Sequence, residues 1–172
     1  MLYRMKQFFH ALFPKISEDD LLWVNRILGP NEVELFKKLP VHEQQHSIAV
    51  GKDCMRANGS EELLKAALLH DIGKIESNLT ILNKSLVVLL SPFEKHKKHM
   101  ARFIRDAFYY KEYHPLIGAN LLKNIYIEIN QGESFSLTQS QERVIELIEA
   151  HHHGNDSRDN ELQLLKKSDA NN

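Results

Sequence analysis

Apolar residues recur at helical spacing along most of the chain. Leu2, Met5, Phe8, Phe9 and Leu12 predict a first helix that Pro14 ends. Ser17 caps a short helix predicted from Glu18 to Leu28, which Gly29-Pro30 terminates. A third, from Glu32 to Leu39, stops before Pro40, and a fourth, from about His42 to Ala57, runs into the C-terminal signal Asn58-Gly59. Ser60 opens a helix that Gly73 closes just after His70-Asp71. Leu79 to Leu90 fits strand or helix by pattern and is assigned to helix for want of a partner strand. Pro92 opens a basic, aromatic helix through Tyr110, and Pro115 is expected at the first position of another that continues to about Ile129. After a loop from Gln131 to Leu137, Thr138 and Gln141 form a capping box for a helix ending at His151 or His152. A turn from Gly154 to Arg158 leads to a last helix, Asn160 to Ala170. With no repeat, low-complexity tract or linker, the expectation is an all-α bundle of about seven to nine helices.

The placement of polar residues on these helices changes the picture. His46 shares a face with Val50, Cys54 and Ala57, and His114 with Ile117, Gly118, Leu121 and Ile125. His151 follows Val144, Leu147 and Ile148, and Asp169 follows Leu162 and Leu165. The helix from Glu61 is apolar around most of its circumference, so it belongs mid-domain and carries His70 and Asp71 inward at its end. Five helices thus each turn a histidine or aspartate toward the core. A buried carboxylate needs a partner or a cation, and neither Asp71 nor Asp169 has a base on its own apolar stripe; Lys74 and Lys166 are the nearest in sequence. A divalent metal satisfies imidazoles and carboxylates together, with imidazole favouring first-row transition metals.

Composition narrows the field without naming a function. The 172 residues are 42% hydrophobic and 26% charged, and Lys+Arg 22 against Asp+Glu 23 advertises neither nucleic acid nor an anionic membrane. One cysteine, Cys54, excludes an internal disulfide and a cysteine-rich zinc site. The longest apolar run, Leu86 to Leu90, is too short to span a bilayer, and no signal-peptide core is present, so the cytoplasm is the expected compartment. Ten histidines are the exception to this ordinary composition.

His70-Asp71-Ile72-Gly73-Lys74 carries a resemblance. The chain resembles the HD superfamily of metal-dependent phosphohydrolases, in the branch with an HDIGK signature. His46 looks like that family's first histidine; His114-Pro115-Leu116-Ile117-Gly118 is similar to the His-Pro-x-x-Gly segment of the HD-GYP branch. His151-His152 is similar to its paired histidines, and Asp169 matches its terminal aspartate. The resemblance spans residues 41 to 170, making 41–172 the HD-type domain and 1–40 an N-terminal helical extension whose aromatic richness suits docking or dimerisation.

The resemblance implies that His46, His70, Asp71 and Asp169 hold one metal, and that Asp71 bridges to a second held by His114 and His151, with His152 as an additional ligand. Two divalent ions are expected, Fe or Mn, with Mg, Zn, Ni and Co also compatible. The implied activity is hydrolysis of a phosphoester or phosphoanhydride in a small molecule, a nucleotide, by metal-activated water, with Asp71 and Lys74 as the catalytic residues. Between Glu94 and Glu112 six basic residues face three acidic ones, and Lys98, Arg102 and Arg105 there are candidate phosphate contacts. The cyclic-di-GMP phosphodiesterases continue into a Gly-Tyr-Pro segment; here His153-Gly154-Asn155-Asp156-Ser157-Arg158 stands instead, an ending closer to compact HD hydrolases of dinucleoside polyphosphates. No membrane or nucleic-acid partner is expected, and a homo-oligomer is compatible.

Two rivals remain. His42-Glu43-Gln44-Gln45-His46 reads as HExxH, a zinc-peptidase signature, but leaves His70-Asp71, His114 and Asp169 without a role. A metal-binding signalling module without turnover is the second, and the complete ligand set argues for the enzyme.

Overall fold

The structure is a computed structural model describing residues 15–75, 102–130, 136–152 and 158–172, with only the backbone of 102–105 and 107. Among the described residues it holds seven α-helices and no strand: α1 (Glu18–Ile27), α2 (Pro30–Lys37), α3 (Val41–Arg56), α4 (Glu61–Leu69), α5 (Arg102–Asn130), α6 (Gln139–Ala150) and α7 (Asn160–Asn171). A 3-10 turn, Ile72–Lys74, follows α4. The helices expected at Leu2 to Leu12 and Leu79 to Leu90 lie outside the described residues.

Local chemistry sets most helix ends. Ser17, Ser60 and Asp159 each accept the N–H three residues on, at 3.1, 3.1 and 3.0 Å. Thr138 and Gln141 bond reciprocally, at 3.2 and 2.9 Å. α3 ends in a left-handed Asn58 (φ 59°), with Gly59 N–H donating to Cys54 O and Asn58 N–H to Met55 O. α2 begins two residues earlier than the spacing predicts. Gly29 precedes it, Pro30 takes the first position, and the Glu32 carboxylate reaches back to Gly29 N–H at 2.6 Å.

α4 is the centre of the bundle. It packs against α1, α2, α3, α6 and α7, and Leu63, Ala66, Ala67, Leu68 and Leu69 are fully buried. Each buried leucine contributes about 1.5–3 kcal/mol. Val24, Leu28, Val33, Leu35, Phe36 and Leu39, all before residue 40, join the same apolar cluster as Val50, Leu147 and Leu165. Trp23 lies on Gly51, where a Cβ would meet its ring at 2.8 Å, so α1 closes over α3.

Two departures from the predicted pattern matter for the site. α4 stops at Leu69, and His70-Asp71 form a turn into the 3-10 segment instead of its last residues. Pro115 does not start a helix: it lies inside α5. Proline in a helix removes one ladder hydrogen bond, but Pro115, Ala119, Leu122 and Tyr126 form one buried stripe, and this packing outweighs the local preference.

The 3-10 turn rests directly on α5. A Cβ on Gly73 would come within 2.0 Å of His114 O, and one on Gly118 would lie 3.0 Å from Gly73 N. Two glycines facing each other let backbone meet backbone here, and so bring His70-Asp71 beside His114.

Candidate metal centre

Five separate elements deliver the polar residues to one place. His46 projects from the middle of α3, His70 and Asp71 from the turn after α4, and His114 from α5. His151 caps the C-terminus of α6 with His152 next to it, and Asp169 comes from the last turn of α7. His70 and Asp71 are fully buried, His114 and His151 nearly so, while His152 keeps much of its side chain exposed.

Asp71 lies between two sets of donors. Its Oδ1 is 3.2 Å from His114 Nε2; its Oδ2 is 3.4 Å from His70 Nε2 and 3.9 Å from His46 Nε2. Asp169 Oδ1 is 2.9 Å from His46 Nε2 and 3.4 Å from His70 Nε2, and its Oδ2 is 4.0 Å from His152 Nε2. The imidazoles form a chain, with ring centroids 5.2 Å apart for His46 and His70, 5.1 Å for His70 and His151, and 5.3 Å for His151 and His114. Among the described residues three trios, each with donor atoms within 4.8 Å of one another, could hold an ion: His46, His70, Asp169; His70, Asp71, His151; and His114, His151, His152.

Hydrogen bonds on the far side of the rings set the tautomers. Nδ1–H of His70 donates to Ala67 O at 2.9 Å and that of His151 to Ile148 O at 2.6 Å. His114 donates from Nδ1 to Tyr110 O at 2.9 Å and Lys111 O at 3.1 Å. A proton on Nδ1 leaves Nε2 as a bare lone pair. Nε2 of all three rings and Oδ1 of Asp71 are buried without a hydrogen-bond partner. Buried polar atoms are nearly always partnered, so four unpartnered atoms, every one an electron-pair donor, fit a cation.

Electrostatics point the same way. Burial opposes charge on Asp71 and Asp169, yet their basic neighbours win and hold both carboxyls below the usual range: His70 and Lys74 for Asp71, His46 and His70 for Asp169. Burial pushes His151 down to about 2 and His152 down to about 4, helped by the neighbouring imidazoles. For His70 burial opposes the charge, but Asp71 and Asp169 outweigh it and raise its pKa. Deprotonated imidazoles and ionised carboxylates are the metal-ligating forms. The proton favoured on His70 marks where the carboxylates attract positive charge.

Lys74 Nζ is 2.6 Å from Asp71 Oδ2 and 3.6 Å from Glu43 Oε2, so a cationic side chain sits at the edge of the cluster. Glu43, nine-tenths buried, is a residue whose position beside Lys74 the HExxH pattern gives no hint of. Within that pattern His42 Nε2 turns to Glu43 Oε1 at 3.3 Å, whereas His46 turns to Asp169. Among the described residues no trio of metal donors includes His42. Lys98 and the side chains of Arg102 and Arg105 lie outside the described residues. No helix among the described residues is long and apolar enough to cross a membrane.

A family model described as the HD domain matches residues 44–170. No curated protein and no solved structure matches the chain.

Proposed function

The chain belongs to the HD-domain family, and from that premise we propose that it is a divalent-metal-dependent phosphohydrolase acting on a small phosphorylated molecule, a nucleotide. One observation carries the reading: inward-facing donor atoms from five elements, four of them buried and unpartnered, surround a common space. His46, His70 and Asp169 are assigned to one ion, His114 and His151 with His152 to a second, and Asp71 to both. Asp71, with Oδ1 toward His114 and Oδ2 toward His70 and His46, would serve both donor sets when ions are bound. When bound, the ions, Fe or Mn, supply Lewis acidity and bring the pKa of water toward neutrality.

The chain's own residues orient and neutralise. The backbone carbonyls of Ala67, Tyr110, Lys111 and Ile148 hold three imidazoles in the tautomer with Nε2 inward. Lys74 is close enough to Asp71 to place its ammonium against a phosphoryl oxygen bound at the same centre, offsetting negative charge as the ester bond breaks. Glu43 restrains it from the other side.

The test joins metal analysis to a substrate panel. Purified protein supplied with Mn or Fe should bind about two ions and release phosphate or a nucleoside monophosphate from nucleotides or dinucleoside polyphosphates. Retained metal with no turnover across the panel would make the chain a binding module. Peptidase activity lost on Glu43→Gln would restore the HExxH reading.

A further inference from the structure

His70, His114 and His151 present Nε2 inward by the same device, a hydrogen bond from Nδ1–H to a main-chain carbonyl. For two of them the helix supplies that carbonyl freely. His70 and His151 are the C-caps of α4 and α6, and Ala67 and Ile148 lie in the last turn, where carbonyls lack a helical N–H. His114 has no such end to use. It sits well inside the 29-residue helix α5, where each carbonyl is normally taken by the N–H four residues on.

The one interruption of that ladder falls next to it. The N–H that would bond Lys111 O belongs to residue 115, and residue 115 is proline. His114 Nδ1–H stands 3.1 Å from Lys111 O and shares itself with Tyr110 O at 2.9 Å. We propose that Pro115 is a positioning residue: by withholding a backbone N–H it keeps the Lys111 carbonyl open for His114, and so fixes the imidazole with Nε2 toward Asp71. The proline thus makes in mid-helix the open carbonyl that α4 and α6 have at their ends. Its ring is buried on the stripe that packs α5 into the bundle, so the interruption does not break the helix.

The inference rests on the metal-centre reading, and its tests separate the two. In the metal-free parent protein, NMR of the imidazole nitrogens should find His114 protonated on Nδ1 with a scalar coupling across the hydrogen bond to Lys111 C′. An Nδ1 without a proton there overturns the proposal with no variant needed. Pro115→Ala restores the N–H. It should keep the helical spectrum, lose the His114–Lys111 coupling, and bind one of the two ions about 10- to 100-fold more weakly, the usual loss when a residue orienting a ligand is removed. In a His114→Gln background the same change should have no further effect on metal affinity, because Pro115 acts through His114. Unaltered affinity for both ions in Pro115→Ala, or an equal loss in the two backgrounds, overturns it. A parent protein that takes up no ion sinks the metal reading, while the Nδ1 measurement still decides what the proline does.

Discussion

Two of the buried polar clusters among the described residues are treated in opposite ways. Near the start of α2, Glu32 is buried with Tyr126 of α5, and both carboxylate oxygens are partnered: Tyr126 Oη–H donates to Oε1 and Gly29 N–H to Oε2. Burial, with Glu32 beside it, drives the Tyr126 phenol far above its ordinary range, so the pair stays a neutral donor on an acceptor. At the candidate metal centre groups from five elements face one another, with His70, Asp71, His114 and His151 buried, and four of their donor atoms have no partner. The chain can complete a buried polar network, since it does so at Glu32. The deficit at Asp71 is therefore distinctive of the candidate site, and an ion held there would remove it.

The sharpest break of this contrast is Asp71→Asn. Removing the carboxylate shared by both donor sets should lower turnover by about a thousandfold or more, some 4 kcal/mol of barrier, and reduce bound metal. Activity assays with metal analysis check it, and circular dichroism should show the helices intact. Next is Gly73→Ala. Its Cβ would fall 2.0 Å from His114 O, so the turn carrying His70 and Asp71 must back away from α5. The expected loss is about 3 kcal/mol in urea unfolding together with weakened metal binding.

A third prediction uses pH on the metal-free protein. The His151 imidazole titrates at about 2 when folded, against about 6.5 in an unfolded chain. Between those values the unfolded chain carries the extra proton. The stability that His151 leaves intact above about pH 6.5 is therefore lost as pH falls, by up to about 1.4 kcal/mol per unit. His70, raised by its carboxylates, works in the opposite sense, so the parent is best compared with His151→Gln. Between pH 7.5 and 5.5 the parent should lose more unfolding free energy than the variant, and parallel curves would refute the assignment. The smallest effect belongs to the completed pair. Tyr126→Phe strips one donor from Glu32 and should cost about 1–3 kcal/mol in urea unfolding, with metal content and turnover unchanged. A matching fall in metal affinity would erase the distinction between the two regions.

Much of the architecture is readable from local chemistry. Ser17, Ser60, Thr138 and the Asn58-Gly59 pair announce their helix ends because a cap needs only residues within one turn. The apolar circumference of α4 likewise announces its central place. Pro115 misleads for the same reason: alone, a proline signals a helix start, and only the neighbours of α5 and the His114 side chain make it tolerable within one. Glu43 is hidden too, since nothing in the spacing of residues 42 to 46 reveals a lysine on a turn some thirty positions later.

By itself, the order of residues determined the helices of the described residues and most of the side chains that face inward, because helical periodicity and capping act over three or four positions. Through its resemblance to the HD family it also named the candidate donors, the His-Asp motif and its companions. Tertiary packing decided which atom of each donor faces the common space. His46 meets Asp169 across 123 positions, His70-Asp71 reach His114 through a contact between two glycines, and each buried ring is turned by a main-chain carbonyl that no sequence code specifies. Such convergence arises from whole helices docking on α4 and, for α5, on the turn that follows α4 and on α6, an energy set by surfaces far apart along the chain.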